Sequence, residues 1–209
     1  MKPKRANLPQ TKVIYTTVPA KLKRILDRLK SAEQPDDFGN ILRKECTDGN
    51  LALGSLFTNL SKGNMYHFDN HEILTGLKSL IIERYDYPNK LLIINNHKIR
   101  SAPTRTEVIA LQYQVAIVTE YPEAGKKSLI PYEKVKNSIS QKAKQEFYED
   151  MERLAKQNLT HANVLDTDYW YSTDSGNRIF LCNWWELVEI TSEKEKAELL
   201  QALKEKLSV

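Results

Sequence analysis

Cysteine is almost missing from this chain: its 209 residues hold two, Cys46 and Cys182, far apart and with no second pair beside either. That argues against a disulfide framework and points to a reducing, cytoplasmic setting. Glycine and proline are also scarce, at 7 and 8 residues, which leaves little material for long flexible linkers. No apolar run approaches bilayer-spanning length, so no membrane association is expected. The charged start MKPKRANLPQTK has no apolar segment behind it, so a secretory signal is not expected. Several chemistries lack their residues outright. Ser61-Lys62-Gly63-Asn64 and Ala124-Gly125-Lys126-Lys127-Ser128 do not have the spacing of a phosphate-binding P-loop. The glycine fingerprint of dinucleotide binding and the G-x-S-x-G nucleophile elbow are both missing, so no cofactor is implied.

What is present fits an ordinary folded domain: 41% hydrophobic and 28% charged residues. The net charge of +4 is unevenly spread. Residues 1–30 carry nine bases and one acid, a net +8, and the rest carry 22 bases and 26 acids, a net −4. A block of one sign at one end suits a polyanionic partner; a solvated helix face behind a basic tail is the plainer alternative.

Residues 1–12 read as a basic arm and Val13–Val18 as β-prone. Pro19 stands at a helix start, and Leu22, Ile25, Leu26 and Leu29 recur at helical spacing with Lys21, Lys23, Arg24, Arg28 and Lys30 outward. Pro35-Asp36-Asp37 and Asp48-Gly49-Asn50 punctuate a short element. Leu51, Leu53, Leu56, Phe57 and Leu60 suit a short buried helix. Asp69 and Glu72 resemble a capping box ahead of a helical stripe of Ile73, Leu74, Leu77, Leu80 and Ile81. Lys90–Ile94 and Lys98–Ser101 read as a hairpin turning at Asn95-Asn96-His97. Glu107–Val118 reads as one strand with Ile109, Leu111, Tyr113, Val115 and Ile117 on one face. Ser140–Gln157 is a strong helix with Ala143, Phe147, Met151 and Leu154 inward. Asp168–Thr173 and Arg178–Ile190 form a strand pair around Asp174–Asn177. Ser192 and Glu195 cap a last helix that buries Leu199, Leu200, Leu203 and Leu207.

Candidate chemistry is sparse. His67 and His71 have helical metal-ligand spacing, but Asp69-Asn70 interrupts it and no further ligand pair exists, so no metal is expected. Glu83, Asp86 and Glu107 flank the central strands without the Glu-x-Lys of a metal-dependent nuclease. Tyr169, Trp170, Tyr171, Phe180, Trp184 and Trp185 form an aromatic cluster. On a strand pair, Tyr169, Tyr171 and one adjacent tryptophan would face outward, where they could stack bases or anchor a protein partner; core packing is the alternative.

Val115-Ala-Ile-Val-Thr-Glu120-Tyr121 is similar to the fifth strand and hinge of protein kinases. A helix, then His161-Ala162-Asn163, then Asp168, then a strand ending at Asn183-Trp184-Trp185, continue that order. The resemblance covers roughly a third of the chain. It implies a catalytic loop at Asn163 and metal-holding positions at Asp168 and Asn183. Kinases, however, have Asp where Asn163 stands, Asn where Asp168 stands and Asp where Asn183 stands. The Gly-rich loop and the Val-Ala-Ile-Lys strand are missing, and little chain follows Asn183.

The expectation is an α+β fold: a mixed or antiparallel sheet with several packed amphipathic helices, one domain over 13–209 behind the arm 1–12. The first functional expectation is association with DNA or RNA. Lys4, Arg5, Lys12, Lys21, Lys23, Arg24 and Arg28 would neutralise phosphates, and Tyr169, Tyr171 and Trp184 would form a second contact. The alternatives are a degenerate kinase-like nucleotide site around Glu120, Asn163, Asp168 and Asn183, and a module that binds a protein partner through the aromatic hairpin.

Overall fold

Helix α1 (Ala20–Lys30) forms where the apolar spacing places it. Leu22, Ile25, Leu26 and Leu29 are each at most 2% exposed, and burying such a side chain stabilises by roughly 1.5–3 kcal/mol. The computed structural model describes residues 20–34, 36–53, 64–68, 71–79, 87–103, 105–121, 129–173 and 175–209; the arm 1–12 and the stretch 13–18 lie outside them. Helix α2 (Asp37–Thr47) adds Phe38 and Leu42 to the same cluster. It stops at Gly49, whose φ of +69° lets the next N–H, that of Asn50, return to the Glu45 carbonyl at 2.8 Å.

Both helices cover one face of a five-stranded antiparallel sheet. Its strands are β1 (Ala52–Leu53), β2 (Asn64–Phe68), β3 (His71–Leu77), β4 (Arg105–Ala110) and β5 (Gln114–Glu120), in the order β1-β2-β3-β5-β4. Helix α3 (Tyr87–Asn96) links β3 to β4. Alternate residues split between two cores. Tyr66, Ile73, Ile109, Ala116 and Val118 pack under α1 and α2; Leu74, Val115 and Ile117 face the other way.

Three readings are corrected here. Residues 71–77 form a strand, not the stripe of a helix: His71 to Thr75 are all buried. A strand covered on both faces loses the alternation that marks strands, and its continuous apolar run imitates a helix. Leu80 and Ile81 lie outside the described residues, as do Leu56, Phe57 and Leu60 of the short helix expected over 51–60; Leu53 stands in a strand. Residues 90–96 are helical rather than half of a hairpin. Pro88 sits in the first turn of α3, and the chain reverses instead at Lys98, in the left-handed region at φ 51°. Residues 107–118 are two strands. The Leu111 N–H donates to the Gln114 carbonyl at 2.8 Å and closes a turn at Gln112-Tyr113. The turn flips the side-chain phase, so Ile109 and Val115 face opposite cores.

The second half is built on α5 (Gln141–Ala155), capped by Ser140 Oγ accepting from the Ala143 N–H at 3.1 Å. Against it lie β6 (Ile130–Pro131), α4 (Tyr132–Val135), β7 (Leu159–His161), β8 (Trp170–Ser172), β9 (Ile179–Leu181), β10 (Leu187–Glu189) and α6 (Glu193–Leu207). Strand β7 pairs with β10, and β8 pairs with β6 and β9, all antiparallel. Trp170 is fully buried, its ring 5.0 Å from Phe147 and 5.1 Å from Tyr132, and its Nε1–H donates to the Val164 carbonyl. The β8–β9 turn docks on the start of α5 through Gly176. A Cβ there would stand 2.3 Å from the Ser138 carbonyl oxygen, and φ is +63°. The last helix follows its capping pattern: Ser192 Oγ accepts from Glu195 N–H, and the Glu195 carboxylate reaches back to Thr191 N–H. The observed class is α+β, and among the described residues no helix is long and apolar enough to cross a membrane.

Candidate functional site

The chain's polar chemistry collects where β7 and β9 end. His161 closes β7 and is 1% exposed. Its Nδ1 accepts the Asn163 N–H at 3.1 Å, which requires the proton on Nε2, and Nε2 donates to the Asn183 carbonyl at 3.0 Å. Both ring nitrogens are thus committed in the neutral form. Burial pushes the imidazole down to about 4, against weaker opposing pulls from the Asn183 and Cys182 backbone. The ring edge-packs on Tyr169 and Trp184.

Asn183 occupies the left-handed region at φ 66°, ψ 39°, a conformation Asn tolerates better than most residues. Its carbonyl also takes the Glu186 N–H at 2.8 Å. Ala162 N–H donates to the Glu186 carbonyl, and Asn163 Nδ2 donates to the Glu186 carboxylate. Cys182 N–H donates to the Tyr169 carbonyl, which holds Asp168 beside the end of β9. The loops carrying Asn163, Asp168 and Asn183 are therefore tied into one locus. A cleft of about 430 Å³ opens between the 162–167 loop and α6, lined by Asn163, Leu165, Asp166, Leu199 and Lys206 among others.

This locus also forms a seam with the five-stranded sheet. Leu181 N–H donates to the Ser101 carbonyl at 3.1 Å, and Leu181 O accepts from Tyr121 Oη at 3.0 Å. Ser101 N–H is held by the buried Asp150 carboxylate at 2.7 Å, and Arg100 clamps Glu146, Glu149 and Asp150. From β3, Glu72 reaches into the seam. Its Oε2 lies 2.6 Å from Tyr121 Oη and 3.5 Å from Thr119 Oγ1, with the Cys182 thiol and the Asn183 backbone turned toward it. Burial drives this carboxyl up to about 8, although each of those hydrogen bonds pulls it down.

Glu72, Tyr121, Cys182 and His161 were not singled out as site residues from the sequence. The available signal was a charged residue inside the apolar run His71–Leu77, which the capping-box reading absorbed. Among the described residues no three His, Cys, Asp or Glu side chains converge as metal ligands. Asn163 and Asn183 offer neutral amides and Asp168 one exposed carboxylate, so this set does not fit the cation pair of a kinase centre. His67 and His71 sit on adjacent strands rather than on one helix.

The basic residues go elsewhere. Lys4, Arg5 and Lys12 lie outside the described residues. Lys21, Lys23 and Arg24 are exposed on α1, and no carboxylate among the described residues pairs with them. Arg28 is bonded to the buried Glu45, and Lys30 pairs with Glu107 at 2.9 Å. A cleft of about 490 Å³ runs along this face, lined by Ala20, Lys23, Arg24, Asp27, Arg28 and Ser31.

The expected outward aromatics are corrected. Tyr171 is 5% and Trp184 1% exposed, both part of the core, and Tyr169 is half-buried against His161. The long strand expected over 178–190 breaks at Asn183, and that break turns Trp184 inward. The basic face and the aromatic cluster lie with opposite faces of the five-stranded sheet, so the fold does not join them. No protein-family model matches the chain, and no curated protein is significantly similar to it.

Proposed function

We propose that this chain is a kinase-like domain that has lost phosphoryl transfer and works by binding, with the α1 face as a contact for phosphate polymers. The observation that carries the first part is the His161–Asn183 hydrogen bond. It ties the loop after β7 to the end of β9, at the positions where the resemblance puts a catalytic loop and a metal-binding strand end. The five-stranded sheet with a helix between its third and fourth strands, then a hinge at Tyr121 and helix α5, supports the same reading.

The transfer chemistry is not supported by the residues. Asn163 cannot accept a hydroxyl proton, and Asn183 supplies no charge to hold a cation. Kinases carry a lysine on the third strand to grip phosphates; here β3 sends Glu72 into the seam, a carboxyl raised toward neutrality. The expected outcome with γ-labelled ATP and Mg²⁺ or Mn²⁺ is no transfer to protein or peptide acceptors. Measured turnover would overturn the non-catalytic reading. Millimolar nucleotide should leave the melting temperature nearly unchanged, since only a ligand of the folded state raises it.

The binding part rests on Lys21, Lys23 and Arg24, which are exposed on α1 and form no ion pair among the described residues, although Asp27 lines the same cleft as Lys23 and Arg24. DNA or RNA offers the repeating phosphates such a face suits. Labelled single- and double-stranded oligonucleotides at low salt are the test: binding by at least one form supports the reading, and none by either removes it.

A further inference from the structure

We propose that Glu72 is a proton-operated latch: as the neutral acid it closes the seam between the five-stranded sheet and the β8–β9 half, and losing its proton loosens that seam. The inference is independent of the proposed function. It rests on a count of protons. Tyr121 Oη lies 2.6 Å from Glu72 Oε2 and 3.0 Å from the Leu181 carbonyl oxygen. A phenol has one proton, and an ionised carboxylate and a carbonyl are both acceptors only. With Glu72 ionised, one of the two short contacts has no hydrogen in it. With Glu72 protonated, the carboxyl donates to Tyr121 and Tyr121 donates to Leu181, so both contacts are satisfied. The relay crosses from β3 through Tyr121, just past the end of β5, to β9, and Glu72 is 4% exposed.

The neighbours of Glu72 suit a neutral group. Thr119 and Tyr121 face it from β5 and its extension, and the Cys182 thiol and Asn183 backbone face it from the chain after β9. His67 is its register partner on β2. No lysine or arginine among the described residues is bonded to it. Burial holds the folded carboxyl at about 8, against 4.5 for an ordinary glutamate. The folded state therefore keeps a proton that the unfolded state releases, and stability falls as pH rises between those two values.

The test uses the full chain. Infrared spectra at about pH 7 should show the C=O band of a protonated carboxylic acid, fading by about pH 9 and missing from Glu72→Gln. Between about pH 5.5 and 7.5 the unfolding constant of the wild type should rise roughly tenfold per pH unit relative to Glu72→Gln, and level off above about pH 8. Amide exchange, corrected for base catalysis, should accelerate at Leu181 above about pH 8 and not at Leu22–Leu29. No band near neutrality, parallel stability curves, or uniform acceleration would each overturn the latch. Should Glu72→Gln fail to fold, Tyr121→Phe serves instead: it removes the acceptor, so the acid band must shift, and an unmoved band contradicts the relay.

Discussion

The α1 face and the Leu181–Asn183 seam are made of opposite materials. On α1 the large apolar side chains Leu22, Ile25, Leu26 and Leu29 point inward, and Lys21, Lys23 and Arg24 point to water. At the seam Glu72, Asn183, His161 and Glu186 are all buried, and backbone and side-chain hydrogen bonds take the place of part of the water they lost. The first arrangement obtains its stability mainly from buried apolar area, with Arg28–Glu45 and Lys30–Glu107 at its edge. The second is specific, because a buried donor or acceptor left unmatched costs about 1–3 kcal/mol. Substitutions on α1's outward face should therefore change binding without touching the fold, and substitutions at the seam should do the reverse.

The largest expected effect tests the core that the seam rests on. Phe147→Ala removes a fully buried ring packed on Trp170 and should destabilise by about 3–5 kcal/mol in urea titrations. A loss below about 1 kcal/mol contradicts that packing.

Next comes His161. Its folded value of about 4 lies below the ordinary 6.5, so the unfolded state gains a proton first as the solution is acidified. Its contribution to stability is complete above 6.5 and is lost as pH falls through about 4, some 3 kcal/mol in all. Glu72 has the opposite slope, between 4.5 and about 8. The two nearly cancel from about 4.5 to 6.5, leaving an acid-side decline owed to His161 and an alkaline-side decline owed to Glu72. His161→Gln should abolish the acid-side decline and, with the cancellation gone, make stability fall as pH rises from about 4.5 onward. A pH profile unchanged from the wild type would show that the committed-tautomer geometry is wrong.

Gly176→Ala sharpens the comparison further. Its new methyl must displace the Ser138 carbonyl from a left-handed backbone, at about 1–3 kcal/mol by thermal denaturation. Smallest of all, Lys21→Glu, Lys23→Glu and Arg24→Glu together should alter stability by less than about 0.5 kcal/mol.

The same contrast explains what could be read from the sequence. Helices α1, α5 and α6 were legible because each has one wet face and one dry face, so Leu22–Leu29 and Ala143–Leu154 keep helical spacing. The capping residues Ser140 and Ser192 sit at the starts of their helices, as expected. Strand β3 was not legible: covered on both sides, it has no polar phase to mark its period. Helix α3 was missed because its short apolar run Leu91–Ile94 has no periodicity to separate helix from strand. The Lys21-Lys23-Arg24 face was visible as charge. Glu72 was visible only as a residue type, since its role depends on Tyr121 and Leu181, 49 and 109 positions away in the chain.

Central to the account is that α1's outward charge is a binding surface and not merely a solvated one. Fluorescence anisotropy of a labelled oligonucleotide across a salt series measures this directly, for the wild type and for the Lys21, Lys23 and Arg24 triple reversal. The account predicts wild-type affinity that falls steeply with salt, and a triple variant that binds at least about tenfold more weakly with a log–log slope shallower by about 3. Equal affinity and equal slope in the two proteins would contradict it.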